Sequence, residues 1–313
     1  MNIWAYIIRR LLYVIPVLLG VCLIIFVLFN LVSPDPTLIM LGKHASVSQM
    51  EDLRRELGLD RPWFLQYLDV VKSAFTFDFG RSWSTKQEII EMIKAGAIPS
   101  LTLSIPAFVI STFLSISISL FVAFFRGTIL DRTIVFLCVT MMSISSLAYI
   151  LFGQWFFAFK LGLFEISGYE FGFPYFIPYV ILPVLIWVML GIGPDVRFYR
   201  TIILDEIYQD YVRTARAKGL SENKIMFKHV LKNAMIPIIT YVIIQIPFLI
   251  LGALLLETFF SIPGLGGIVL SAINSSDFPV VKAMTILISV AYIIFSVLTD
   301  VMYTLVDPRV RLK

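Results

Sequence analysis

Six stretches of the chain are apolar almost without interruption: Leu11 to Val32, Ala97 to Phe125, Thr133 to Phe159, Phe173 to Pro194, Asn233 to Leu256 and Ala283 to Val306. Each is long enough to cross a bilayer, because a helix rises about 1.5 Å per residue and the hydrocarbon core is about 30 Å thick. The pattern therefore predicts an all-α protein with six transmembrane helices. Prolines interrupt several of them, among others at Pro99 and Pro106, Pro178 and Pro183, and Pro237 and Pro247. Each removes a backbone hydrogen bond and tends to kink its helix, which a bundle tolerates where neighbours satisfy the freed carbonyls. In the second span Ser104, Ser111, Ser115 and Ser119 fall on one helical face. Small residues at that spacing let helices approach closely. The competing reading is a pathway lining made by Ser104, Ser111 and Ser115, to which Gln245 of the fifth span would add.

Two polar segments separate the apolar blocks. The first, residues 33–96, follows the first span and is long enough to form a small extracytoplasmic insertion. Within it "SVSQMEDLRRELGLDRP" reads as a capped helix: Ser48 and Glu51 have capping-box spacing, Met50, Leu53 and Leu57 share a face, and Gly58 suits a left-handed C-terminal residue. It is either a lid on the bundle or a docking surface for a soluble partner. The second segment lies between spans four and five, at 195–232. Tyr208, Tyr211, Val212 and Ala215 follow the i, i+3, i+4, i+7 rule and predict an amphipathic helix from Asp205 to Lys218, stopped by Gly219. Ser221 then offers an N-cap with Glu222 in the first turn. The second helix sets Phe227, Val230, Leu231 and Ala234 on one face and Lys224, Lys228 and Lys232 on another. Two apolar stripes around a turn are more than a solvated loop requires.

Composition agrees with the pattern, at 59% hydrophobic and 15% charged, against about 25% charged in soluble domains. A signal peptide after Arg9 and Arg10 is the rival reading of the first block, but the apolar run is too long and no small-residue cleavage site follows. Outside the insertion, the N-terminus, the Arg126/Arg132 loop, the 195–232 segment and the C-terminus hold fifteen basic residues, and the opposite loops hold two, Lys160 and Lys282. Both termini and the 195–232 segment are therefore expected in the cytoplasm. The net charge of +4 carries this orientation and not a nucleic-acid footprint. Cys22 and Cys138 each lie within a span and suggest neither a disulfide nor a metal site.

Candidate chemistry is sparse. Asp300 is the one ionisable residue inside the six blocks and falls toward the inner boundary, while Glu257, twenty residues beyond Pro237, falls near the outer one. With neither at the midplane, no proton or sodium relay is expected, which disfavours a secondary transporter or channel working alone. His44 and His229, the two histidines, are expected on opposite sides of the membrane. No H-E-x-x-H, G-x-S-x-G or P-loop pattern occurs, and "PGLGG" at 263–267 lacks the lysine and hydroxyl of a phosphate loop, so it reads as an outer turn. No catalytic residue, cofactor or metal site is expected here, and any ATPase must be another chain.

The order of several motifs carries a resemblance: "RRLLYVIPVLLGVCLIIFVLFNLVSPDP", "LGLDRPWFLQYL", "FDFGRSW", "IPSLTLSIPAF", "ARAKGLSENKIMFKHVLKNAMIP", "LETFFSIPGLGGIVLSAINSSDFPVVKA" and "DPRVR". The chain resembles ABC importer permeases of the dipeptide, oligopeptide and nickel family, specifically the B-type subunit with a long insertion after its first span. The resemblance implies a type I importer fold in the bacterial inner membrane. It also implies a second permease subunit, two ATPase subunits that hold ATP and Mg, and an extracytoplasmic solute-binding protein. It assigns residues 1–32 to the N-terminus and first span, 33–96 to the insertion, 97–306 to the permease core and 307–313 to a cytoplasmic tail. Arg213, Thr214 and Ala215 take the E-A-A positions of the cytoplasmic coupling motif and Gly219 its glycine. The implied ATPase-coupling surface is Tyr211, Arg213, Thr214, Ala215, Ala217, Lys218, Gly219, Leu220 and Lys228, and the outer-loop motif is Glu257, Pro263, Gly264 and Gly266. Three positions depart from the pattern: Arg213 replaces Glu, Lys232 replaces Pro and Phe77 replaces Gly. The implied cargo is a di- or oligopeptide, with nickel or another small solute as the alternative.

Overall fold

The computed structural model describes residues 3–32, 35–41 and 46–306. Helix α1 (Ile3–Phe26) ends in a π-helical turn at Val27–Val32. The insertion follows as α2 (Pro36–Leu41), α3 (Val47–Glu56) and α4 (Trp63–Thr76). Next come α5 (Ile89–Phe124), α6 (Ile129–Ser143) and α7 (Ser146–Gly153), the last extended by a π-helical stretch at Gln154–Lys160. Helix α8 (Ile177–Ile207) leads to α9 (Asp210–Ala217), then to the single turn α10 (Glu222–Lys224) and a π-helical stretch at Ile225–Val230. The chain finishes with α11 (Leu231–Leu251), α12 (Leu254–Phe259), α13 (Leu265–Asn274) and α14 (Phe278–Val306). The "DPRVR" motif, the 307–313 tail and His44 lie outside the described residues.

Among the described residues, five helices are long and apolar enough to cross a membrane, and a sixth crossing exists if α6 and α7 count as one broken span, bent by 89°. The third apolar block is thus not one helix. Its break falls at Ile144–Ser145, both in extended conformation, where Ser145 occupies the N-cap position of α7. Serines favour such ends over helix interiors because their hydroxyls compete with the backbone. The fourth block is longer than its apolar run: α8 passes through Pro194 and continues to Ile207, about 46 Å in all. Asp195, Arg197 and Arg200 therefore ride on a membrane helix and not in a loop. Helix α5 likewise begins at Ile89, so the last residues of the 33–96 insertion belong to a span, and it continues through Pro99 and Pro106.

Helices α5 and α8 form the centre of the bundle. Their seam holds the serine face: Ser104, Ser111, Ser115 and Ser119 are all buried. At Gly191 of α8 an added Cβ would lie 2.6 Å from Ser111 Oγ, so the two backbones approach as only small residues permit. Ser119 Oγ donates to the carbonyls of Ser115 (2.6 Å) and, across the seam, of Val196 (3.0 Å). The serines pack helix on helix and do not line an opening within this chain. Arg200 clamps α8 to α6, donating to Asp131 through Nε (2.8 Å) and Nη2 (2.9 Å) while Gly127 N–H adds a third bond at 2.9 Å.

The insertion leans on the bundle. Val70 and Ala74 of α4 share one apolar cluster with Leu18, Cys22 and Ile25 of α1 and Ile286 of α14, and Tyr67 donates to the Leu19 carbonyl at 3.1 Å. In α3 the N-cap is Ser46, paired with Gln49 in a reciprocal capping box, and Ser48 lies inside the helix. Both serines have an acceptor three residues on; the earlier one prevails and lengthens the helix by two residues. Gly58 has φ +67°, the left-handed stop expected of it.

Candidate functional site

The connection between α8 and α11 forms a compact hook. Helix α8 extends through Asp205 and Glu206, and Tyr208 and Gln209 break the chain before α9 starts at Asp210, so the expected Asp205–Lys218 helix is two elements. Asp210 sits in the first turn of α9, where the helix dipole favours an acid. The far end closes as a Schellman motif: Gly219 N–H donates to the Arg216 carbonyl (2.9 Å) and Leu220 N–H to the Ala215 carbonyl (3.3 Å). Gly219 has φ +77° with nothing within 4 Å of where a Cβ would be, so its requirement is conformational and not spatial. Arg216 then grips Glu222 across the turn, Nε to Oε1 at 2.7 Å and Nη2 to Oε2 at 3.3 Å. Ser221 stands at the N-cap of α10 but makes no side-chain cap bond.

One face of the hook is sunk into the bundle. Val212 and Ala215 join Leu120 and Ala123 of α5, Tyr199, Ile203 and Ile207 of α8, and Ile225, Met226, Val230, Ala234 and Ile238 in one buried cluster. Phe227, expected on this face, is exposed. The π-helical stretch at Ile225–Val230 widens the turn and brings Ile225 and Met226 inward instead. Tyr211 is half-buried and donates to Glu206 Oε2 at 2.5 Å. Burial, together with that bond, pushes its phenol up to about 12. The other face carries Arg213, Thr214, Ala217, Lys218, Gly219 and Lys228, all exposed. Of the residues expected to meet an ATPase, Ala215 is the one turned inward, and Leu220 is half-buried beside it.

A second constellation lies at the opposite end of the bundle. Glu257 of α12 has no exposed surface. Its Oε1 accepts from Ser100 Oγ (2.6 Å) and Ala253 N–H (3.2 Å), and its Oε2 from Gly266 N–H (2.7 Å) and Gly267 N–H (3.2 Å). Ser100 Oγ in turn accepts from Leu265 N–H at 2.8 Å. The stretch "PGLGG" is therefore not an outer turn alone, because its last three residues open α13. Their free N–H groups, at the positive end of the helix, bind an anion that the chain itself supplies. Gly264 is required by the fit, since an added Cβ would lie 2.4 Å from Glu257 Oε2. Four donors offset part of the desolvation that Glu257 suffers.

Two further ionisable groups belong to spans and were misplaced by counting loops. Asp195 is buried on α8 with one described partner, Tyr241 Oη at 3.3 Å. Nearby on the same three-helix seam, the hydroxyls of Ser111, Ser115 and Tyr199 have no partner among the described residues. Lys282, counted in an outer loop, lies in the second turn of α14. Ionisable groups therefore ride on the long apolar helices themselves, Asp195 past the middle of α8 and Lys282 at the start of α14. Asp300 falls on α14 and Gln245 lies half-buried on α11, sharing no described hydrogen bond with the serine face.

Comparison with known proteins decides the class. Residues 115–312 match the family model described as binding-protein-dependent transport system inner membrane component, and residues 3–105 match the N-terminal model of the same transport systems. The chain belongs to this family. Among its relatives, the glutathione transport system permease protein GsiC of Salmonella choleraesuis (strain SC-B67) is 31% identical over 308 residues, covering 98% of this chain and 99% of the relative. The protein of the same name from Escherichia coli (strain K12) is 30% identical over the same length. This permease is thus a multi-pass membrane component of a binding-protein-dependent ABC importer, with the type I fold. Permease subunits of this kind are non-catalytic.

Proposed function

We propose that the permease imports di- or oligopeptides or peptide-like solutes, and that it receives the energy of ATP hydrolysis on separate ATPase chains through the exposed face of α9. One observation carries the coupling half of this reading. Helix α9 is polar and open on the side of Arg213, Thr214 and Lys218, yet its other side is fused into the same buried cluster as α5, α8 and α11. A push on the open side is transmitted to three spans at once because a close-packed cluster moves as a unit. The hook is expected on the cytoplasmic side from the distribution of basic residues, where such ATPases reside. Glutathione is itself a peptide-like thiol, and the relatives bearing its name support a peptide-type cargo.

The test is uptake by proteoliposomes holding this permease with its second permease, ATPases and binding protein. Labelled dipeptide or glutathione should accumulate only with ATP. Gly219→Pro, which cannot adopt a positive φ and loses the N–H bonded to Arg216, should abolish uptake while ATP hydrolysis continues. Undiminished uptake by that variant refutes the coupling role, and ATP-independent uptake by the chain alone would favour a stand-alone transporter. Accumulation of nickel in place of both organic solutes would reassign the cargo.

A further inference from the structure

Lys282 is an ammonium on a long apolar helix with one described side-chain acceptor. Its Nζ donates to Asn30 Oδ1 at 2.6 Å and lies 5.8 Å from the centre of the Phe29 ring. It forms no ion pair among the described residues, and the undescribed segments 33–34 and 42–45 contain no acidic residue that could supply one. An ammonium has three donors, so N–H groups remain to be used. Its place in the second turn of α14 makes the deficit worse, since the N-terminal end of a helix disfavours a cation. Snorkelling along a span end accounts for the reach toward Asn30, and the remaining donors face a cleft.

The side chain is held in place from the insertion. Asn30 Nδ2 donates to Gln66 Oε1 at 2.7 Å, and Gln66 Nε2 donates to the carbonyls of Arg61 (2.8 Å) and Leu59 (3.1 Å). This relay runs from α14 through the end of α1 to the α3–α4 connection. Lys282 thereby forms part of the wall of a cleft of about 520 Å³ between the insertion and the first and last spans. Three acids also line the cleft: Asp69 pairs with Arg61 at 3.5 Å, Asp78 accepts from Gly80 N–H at 3.2 Å, and Glu56 has no described partner. Of the cations in its wall, Arg61 pairs with Asp69 and Arg81 with Glu88, which leaves Lys282 as the one with no described carboxylate.

We propose that this cleft is a binding site for an oxyanion, a phosphate or carboxylate, seated on Lys282 Nζ. Its position at the outer ends of α1 and α14 gives access both to a phospholipid headgroup and to the carboxylate of a free solute. Native mass spectrometry of the purified full-length chain, offered phosphatidylglycerol, inorganic phosphate and triglycine in separate experiments, distinguishes the sources. At least one should bind. Lys282→Met should weaken that binding by about tenfold or more, the scale of one lost charge-assisted hydrogen bond, and Lys282→Arg should retain it. Retention of the lipid alone assigns a headgroup site, whereas retention of phosphate or triglycine assigns a solute site. Asn30→Asp provides a variant that keeps the lysine and sets a carboxylate against it, so it too should lose the ligand while its thermal melt is kept. The proposal is overturned if none of the three ligands binds, or if both Lys282→Met and Asn30→Asp bind as tightly as the unmodified chain.

Discussion

Glu257 and Asp195 show two opposite ways of holding a carboxylate inside a membrane protein. Glu257 meets four donors and no solvent. Glu257→Gln should lower stability by about 1–3 kcal/mol, since the new NH₂ group must oppose N–H donors at the start of α13. A thermal melt of the purified protein reads this, and an unchanged midpoint would mean that the cage is not what holds α12 to α13. Asp195 has a single long bond to Tyr241, so its charge is poorly repaid for lost hydration. Asp195→Asn keeps the shape and removes the charge, and the melting midpoint should hold or rise. A marked fall would show that Asp195 has a partner beyond Tyr241. Neither group was legible from spacing alone: a count of residues along a helix fixes depth, not the donors that other segments bring to the same point.

At the scale of elements, glycine and apolar periodicity spoke clearly and prolines misled. Gly58 and Gly219 both have the positive φ that their place after a helix implies. The predicted inner face of α9 held at Val212 and Ala215, while Tyr208 fell on the break before the helix. Pro194 suggested the end of a span, but α8 passes through it to Ile207 and carries Asp195 inward with it. The bend between α6 and α7 was written in the serines at 143, 145 and 146, which an unbroken run of hydropathy averages away. The π-helical stretch at Ile225–Val230 left no simple signal, because the extra residue per turn shifts the buried face without changing composition. The hook itself offers a graded test. Gly219→Ala should cost about 1 kcal/mol for its left-handed conformation and leave transport working, because the added methyl meets open space. A loss of transport in Gly219→Ala comparable to that in Gly219→Pro would point to direct contact at this residue instead of turn geometry.

For the whole molecule, the fold class was readable from six apolar blocks, and the family from the order of its motifs, whereas the internal seams were not. The serine face was the exception: its spacing foretold close packing, and it packs α5 on α8. Large apolar side chains such as Phe113 and Phe136 stand exposed on the bundle, as lipid-facing or partner-facing positions do. On the proposed coupling, force enters through the open face of α9 and leaves through the cluster of Val212, Ala215, Ile203 and Met226. Site-directed cross-linking in the assembled transporter tests it most directly, with cysteines introduced singly at Lys218, Arg213 and Val212. Lys218→Cys and Arg213→Cys should cross-link to an ATPase chain, with a yield that changes when ATP is added, and the buried Val212→Cys should not. An active transporter in which neither exposed position reaches the ATPase would contradict the account.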